Sequence, residues 1–293
     1  MSAHDEQPPT ASSVPKSWER AVATLLADPN MASLAHDCYF DGTAIEAGAR
    51  YWASTEWQTV RTLLPRRAGR ALDVGAGRGI ASYALARDGW SVSALEPDGS
   101  ALVGAGAIRT MATQAGYSID VHQAFGEKLP FDDQQFDLVF ARQSLHHAHD
   151  LPALIRELHR VLRPSALLVA IRDHVITKRA DLNRFFEIHP LQRLYGGENA
   201  YLLQEYLVSV EDAGFSLLKS IAPFESPINY APLEPSMLPV AIADQLPNFC
   251  GVRRFAAGVL SIPAILTLAC KALRWIDNRP GRLYSFVAVK KDP

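Results

Sequence analysis

The sequence predicts an α/β protein built on a doubly wound, mostly parallel sheet of seven strands. Three observations predict it. From Arg70 to Ile171, short apolar strand signals alternate with helical ones, the pattern of βαβ units with helices on both faces of a sheet. The first strand runs through Ala71–Gly79, A-L-D-V-G-A-G-R-G, into three glycines at alternate positions and then a helix. Two more apolar strands, Phe215–Ile221 and Arg282–Val289, follow later, the last with apolar alternation.

Each element has its own signal. Met1 to about Pro15 is polar and rich in Pro and Ser, so it reads as disordered, and it lacks the apolar core of a signal peptide. Ala44–Leu64 reads as one helix carrying Tyr51, Trp52 and Trp57. The core strands are Ala71–Val74, Ser91–Leu95, Ile119–Gln123, Phe136–Ala141 and Ala166–Ile171. Between them, Ile80–Arg87 ends at Gly89 and Ser100–Thr113 ends near Gly116. Leu151–Leu162 starts after Asp150 as N-cap and stops at Arg163-Pro164, with Leu154, Ile155, Leu158, Val161 and Leu162 on one face. Ala200–Val210 is amphipathic and ends at Gly214. About sixty residues then separate the last two strands, far more than a usual connection. The expected division is a disordered start (1–15), an N-terminal helical lid (16–68), a core (69–222), a helical cap inserted before the last strand (223–281), and that strand with its tail (282–293).

Bulk composition narrows the class. The chain has 293 residues, 48% hydrophobic and 20% charged, as in ordinary soluble domains. A net charge of −2 and the want of a basic stripe argue against nucleic acid as partner. Three cysteines, Cys38, Cys250 and Cys270, show neither metal-ligand spacing nor a disulfide framework, which fits a reducing, cytoplasmic setting. Nothing in the composition speaks to oligomeric state.

The glycine turn implies a nucleoside-bearing cofactor. Glycine permits φ > 0 and lets the main chain approach a ligand closely, and the helix N-terminus behind it suits an anionic group. The spacing is G-x-G-x-G, not the G-x-G-x-x-G of dinucleotide folds. Glu96 ends the next strand, 21 residues after Gly75, where a carboxylate accepts both hydrogen bonds of a ribose diol. NAD(P) is the rival cofactor, but none of the nine tyrosines is followed by Lys four positions on, as hydride chemistry in short-chain dehydrogenases requires.

With E-K-L-P-F at Glu127–Phe131, F-D-L-V-F-A-R-Q-S-L-H-H and L-H-R-V-L-R-P, the chain resembles the class I S-adenosylmethionine-dependent methyltransferases. It is closest in pattern to the branch related to ubiquinone/menaquinone-biosynthesis methyltransferases, over roughly Tyr51 to Ile171. The resemblance implies a Rossmann-like fold, S-adenosyl-L-methionine as cofactor and methyl transfer to a small molecule, with oxygen as acceptor ahead of nitrogen or carbon. It implies that Gly75, Ala76 and Gly77 line the methionine moiety, with Asp73 fixing the turn or reaching the methionine amine through water. Glu96 and Pro97 would meet the ribose, Gly126 and Glu127 the adenine, and Arg142 would pack beside the cofactor. The region of Tyr39, Phe40, Tyr51 and Trp52 would fold over it as a lid. Phe125 stands where relatives often place an adenine-binding Asp. A non-catalytic module that binds the same cofactor is the alternative reading.

Acceptor chemistry needs a base if the nucleophile is a hydroxyl or protonated amine. His146 and His147 follow the fourth strand; His147 is a candidate base, His146 a substrate contact. Asp173 and His174 follow the fifth strand, with Asp173 orienting His174 as base. His189, Arg193, Tyr195 and Glu198, around the Gly196-Gly197 turn, are expected to reach a polar substrate from a loop. His146, His147, His149 and Asp150 also crowd five positions, but without a second ligand cluster the expectation is that no metal is held.

Phe255–Cys270 is uncharged, flanked by Arg253, Arg254, Lys271 and Arg274, and interrupted by Pro263. It is too short to span a bilayer. The expectation is a buried helix pair lining an apolar pocket; a peripheral dip of 255–270 into a bilayer interface is the alternative. Either points to a substrate with an apolar or lipid-like part.

Overall fold

The computed structural model describes residues 17–246 and 251–292. The expectation of disorder over 1–15 lies outside the described residues. Before the sheet come α1 (Trp18–Ala27), α2 (Ala32–Asp37), α3 (Ala44–Ala53) and α4 (Thr55–Arg61). The single helix expected over Ala44–Leu64 is two, because Ser54 leaves helical geometry and caps the second, its Oγ accepting from Trp57 N–H at 3.2 Å.

The core follows as β1 (Arg70–Val74), α5 (Ile80–Arg87), β2 (Ser91–Leu95), α6 (Ala105–Ala115), β3 (Ile119–His122), β4 (Phe136–Arg142), α7 (Leu151–Val161) and β5 (Leu162–Ile176). Helix α6 starts five residues later than expected. Ser100 Oγ accepts from the N–H groups of Leu102 and Val103, a local turn that competes with helix. Asp150 caps α7 through Ala153 N–H at 2.9 Å, as its sequence reads.

Then come α8 (Asp181–Ile188), α9 (Pro190–Leu194), β6 (Tyr201–Leu202), α10 (Leu203–Asp212), β7 (Phe215–Ile221), α11 (Pro227–Tyr230), α12 (Leu238–Ala243), α13 (Val252–Leu260), α14 (Pro263–Ile276) and β8 (Arg282–Lys290). The sheet order is β3-β2-β1-β4-β5-β8-β7, with the two-residue β6 added beside β5. The neighbours from β3 to β5 pair parallel, and β8 runs antiparallel to both β5 and β7. Apolar faces of α7 and α10 cover one side through Leu154, Ile155, Leu158, Tyr206 and Val210. Trp57, Val60, Ala84, Leu85 and Ile228 cover the other.

Strand β5 is longer than the six residues expected. At Arg172, φ is +63° and the register to β8 shifts, a bulge that lets pairing resume at Asp173↔Tyr284 and His174↔Leu283. Asp173 and His174 therefore sit on a buried strand, not in a loop after it.

The cap departs most from expectation. Helix α13 has no buried residue and α14 has only Cys270, so the apolar segment is not the buried pair anticipated. The two helices meet at 107°, broken ahead of Pro263. The sheet faces are already covered, so Phe255 (76% exposed) and Trp275 (82%) face outward. Among the described residues no single helix is long and apolar enough to cross a membrane.

Candidate active site

The carboxyl ends of β1, β2, β4 and β5 open into one cavity of about 530 Å³, the place where a doubly wound sheet holds ligands. One end is the glycine turn. Gly75, Gly77 and Gly79 all have positive φ (+65°, +55° and +87°). The N–H groups of Gly75 and Ala76 donate to Leu95 O at 2.9 and 3.0 Å, which ties the turn to β2. Glu96 lies beneath it, one carboxylate oxygen accepting from Gly77 N–H at 2.8 Å and the other from Asp98 N–H at 2.9 Å.

Burial, then the charges of Asp98 and Asp73, pushes the Glu96 carboxyl up to about 7. Burial also raises Asp73 to about 6 against the Ser82 hydroxyl that it binds at 2.6 Å. Pro97, Phe125, Gly126, Glu127 and Arg142 line the same end. A Cβ at Gly126 would stand 2.4 Å from Leu154 Cδ1, so a side chain there would have to displace the tip of Leu154.

Two of the expected cofactor contacts are placed otherwise than anticipated. Tyr51 is fully buried, packed between Tyr39 (edge to face) and Trp57 (tilted) at 5.5 Å from each, and does not line the cavity. From the N-terminal helices, Trp18, Leu34, Cys38 and the expected Phe40 line the cavity. Arg142 does line the cavity, yet its guanidinium is held behind it by Glu56, at 2.8 Å from Nε and 3.1 Å from Nη2. The composition gave no hint of Arg78. It donates to the carbonyls of Tyr39, Phe40 and Gly42 and clamps the N-terminal segment over the glycine turn. A lone arginine between two glycines, G-R-G, was the signal for it.

The other end of the cavity is a cluster of imidazoles. His146 and His147 lie on a short turn after β4, His174 on β5, and His189 after α8. Ring centroids are 4.2 Å apart for His146–His147, 4.6 Å for His146–His174 and 5.0 Å for His174–His189. Asp173 does not orient His174, as sequence order suggested. Strand alternation points the two side chains apart, and Asp173 Oδ1 takes the His146 backbone N–H at 3.1 Å and its Nδ1 at 3.0 Å. His174 Nδ1 instead faces Gly281 O at 2.8 Å, and His147 Nδ1 faces Gly197 O at 3.1 Å.

Electrostatics separates these rings. Burial disfavours charge on His146, but the hydrogen bond to Asp173 and the nearby Glu198 carboxylate outweigh it and lift the ring to about 9. Burial lowers His147 to about 4 and holds His174 well below the usual range, with His146 adding to both. Burial raises Glu198, but the His146 contact and the neighbouring imidazoles bring it down to about 2. Glu198 and Tyr195 line the cavity. Arg193 does not: its guanidinium donates to Glu187 O across the α8–α9 corner.

Comparison with known proteins settles the family. A family model described as a methyltransferase domain matches residues 72–170. The O-methyltransferase resE of Aspergillus sclerotiorum is 30% identical over 217 residues, 72% of this chain and 78% of that protein. The chain belongs to the class I S-adenosylmethionine-dependent methyltransferases. The 27-O-demethylrifamycin SV methyltransferase of Amycolatopsis mediterranei is 30% identical over 220 residues, 64% of this chain and 74% of that one. Shorter matches, several to ubiquinone biosynthesis O-methyltransferases, span 26% to 55% of the relatives' own lengths. In fold, the methyltransferase is similar to the [4+2]-cyclase SpnF, with a TM-score of 0.54 at 21% identity over 84% of this chain and 82% of that one.

The cofactor of this methyltransferase is S-adenosylmethionine, and the glycine-turn end fits it. A Cβ on Gly77 would meet nothing within 4 Å, so the turn's convex side stands open to the cavity. The buried Ser144 hydroxyl beside it has no partner among the described residues. The Glu96 carboxylate lines the cavity beside the turn.

Proposed function

We propose that this methyltransferase moves the methyl group of S-adenosylmethionine to a hydroxyl oxygen of a small molecule. One observation carries this reading: a single cavity runs from the glycine turn and Glu96 to His146, which Asp173 holds from behind. Methyl transfer from a sulfonium is an in-line displacement, so holding acceptor, methyl and sulfur in line is most of the catalysis. A hydroxyl must also shed its proton, which a polar, preorganised cluster assists and an apolar wall does not. Buried imidazoles and carboxylates at the acceptor end favour oxygen over nitrogen or carbon. In this reading Asp73, Gly75, Ala76, Gly77, Glu96, Pro97, Gly126, Glu127 and Arg142 surround the cofactor. His146, His147, His174, His189, Tyr195 and Glu198 face the acceptor, with Asp173 acting through His146. Residues 16–68 serve as lid, 69–222 as core and 223–281 as cap. Cofactor-dependent methylation of hydroxylated aromatic and aliphatic compounds, followed by mass spectrometry, tests it; transfer to amines alone overturns the oxygen assignment.

Glu96→Ala is expected to weaken S-adenosylmethionine binding by about 1–3 kcal/mol, from lost charged hydrogen bonds. Calorimetry showing unchanged affinity removes the ribose role. The same group sets a pH dependence. Ribose hydroxyls donate to the ionised carboxylate, and burial, with the charges of Asp98 and Asp73, holds its titration near 7. Affinity should therefore fall as pH drops through about 7, and Glu96→Gln should flatten that slope. A wild-type affinity that is level across this range refutes the assignment.

We further read the outer face of α13 and α14 as a contact for a lipid surface, which would bring an acceptor with an apolar part to the cavity. Phe255, Leu268, Trp275 and Ile276 are exposed between Arg253, Arg254, Lys271 and Arg274, an amphipathic pattern suited to an anionic interface. Co-sedimentation with phosphatidylserine-containing vesicles should exceed that with phosphatidylcholine alone, and Phe255→Ser with Trp275→Ser should abolish the difference. Equal recovery in the supernatant from both vesicle types would reject the contact.

A further inference from the structure

We propose that His146, His174 and Glu198 bind one divalent transition-metal ion, zinc foremost, at the acceptor end of the cavity. One ring nitrogen from each histidine and one carboxylate oxygen all lie within 4.8 Å of one another, and all three residues are buried. They come from three segments: the turn after β4, strand β5 and the loop after α9. The expectation of no metal rested on the want of a second ligand cluster in the sequence. The fold supplies that cluster by bringing His174 and Glu198 to His146.

The outer contacts orient the rings for this task. Gly281 O can only accept, so His174 Nδ1 carries the proton and its Nε2 keeps a lone pair. Asp173 likewise takes the Nδ1 proton of His146, leaving Nε2 toward Glu198. A histidine whose far nitrogen donates to a carboxylate or carbonyl is the usual outer arrangement of a metal-bound imidazole. His146 Nε2 stands 3.7 Å from Glu198 Oε2. That gap is too long for a hydrogen bond and fits two bonds of about 2.1 Å that meet at one ion. Two buried carboxylates, Asp173 and Glu198, provide the negative charge that a divalent cation would balance.

The donor set selects the ion. Two imidazoles and one carboxylate suit zinc and its neighbours, whereas calcium and magnesium take oxygen donors. Three protein ligands leave a fourth position, which here opens on the cavity. The ion's use rests on the acceptor reading above. An acceptor hydroxyl bound at that position loses its proton to water more readily. Its oxygen then forms the bond to the methyl carbon as the carbon–sulfur bond breaks, leaving S-adenosylhomocysteine and one released proton.

The test uses the full chain, tag-free and purified without chelator. Zinc content is measured by plasma mass spectrometry, and affinity by competition with a chromophoric chelator at neutral pH. One zinc per chain is expected, with Glu198→Gln and His174→Ala each weakening it by at least about tenfold. Asp173→Asn should weaken it by about 10–100-fold, as loss of an outer partner does. S-adenosylmethionine binding, read by calorimetry, checks that each variant is folded. If His174→Ala fails that check, the isosteric Glu198→Gln decides. Substoichiometric zinc in the wild type, or undiminished zinc in Glu198→Gln, overturns the site. Zinc bound without transfer to any hydroxylated acceptor sinks the proposed transfer and leaves the site standing. Transfer by a zinc-free protein does the reverse.

Discussion

Glu56→Gln is expected to destabilise the protein by about 3–5 kcal/mol, the cost of leaving buried charge without its partner. Glu56 is 2% exposed and sits on α4, beneath the junction of the lid with β4 and β5. Its carboxylate takes Arg142 through both oxygens and has Arg172 Nη1 at 3.8 Å. Burial opposes its charge, yet the two guanidiniums hold its carboxyl below the usual range. Arg142 in turn lies over the Tyr39 and Tyr51 rings at 5.6 and 5.1 Å, and Arg172 donates to Ile228 O and Ala231 O. One carboxylate therefore joins the lid, two central strands and α11. Losing its charge leaves two largely buried guanidiniums without their counter-ion. The melting temperature should drop by roughly 10 °C, read by scanning calorimetry. Adding Arg142→Met to Glu56→Gln should recover part of the loss, because one of the stranded charges goes with it. A variant melting within a degree or so of wild type would show that the cluster contributes specificity rather than stability.

Asp173→Asn is expected to lower kcat by about 10²–10⁴-fold while leaving S-adenosylmethionine affinity in place. The substitution keeps an oxygen for the His146 contacts and removes the negative charge that holds the ring's proton. Asp173 does not line the cavity, so a change in cofactor affinity is not anticipated. It is a positioning residue that acts through His146, and the split between kcat and cofactor binding is the readout. Equal loss in both, with a lowered melting temperature, would instead mark a merely structural role.

The cofactor end was legible in the sequence because its parts are local. Gly75, Gly77 and Gly79 belong to one turn, and Glu96 reaches it from the adjacent strand, whose pairing follows from a single βαβ unit. The core strands and α5 and α7 were legible for the same reason: their apolar periodicity is a property of short windows. Three misreadings had physical causes. The helix over Ala44–Leu64 broke because a serine side chain outcompeted the helical backbone. Tyr51 went to the core because α3 packs against α5 and α4, leaving Trp18, Leu34, Cys38 and Phe40 to line the cavity. The cap's apolar run proved exposed because hydropathy counts residues and does not know that both sheet faces are already covered.

What the sequence by itself determined is the methyl donor, because the glycine turn and the motifs that mark the family each lie within a short stretch of chain. What only the tertiary structure decided is the acceptor end. Which carboxylate holds which imidazole depends on a bulge at Arg172, on the alternation of β5 beyond it, and on its register with β8. Glu198 reaches His146 across 52 positions, and no local pattern encodes that distance. Chemistry assembled from separate segments exists only once the sheet has closed.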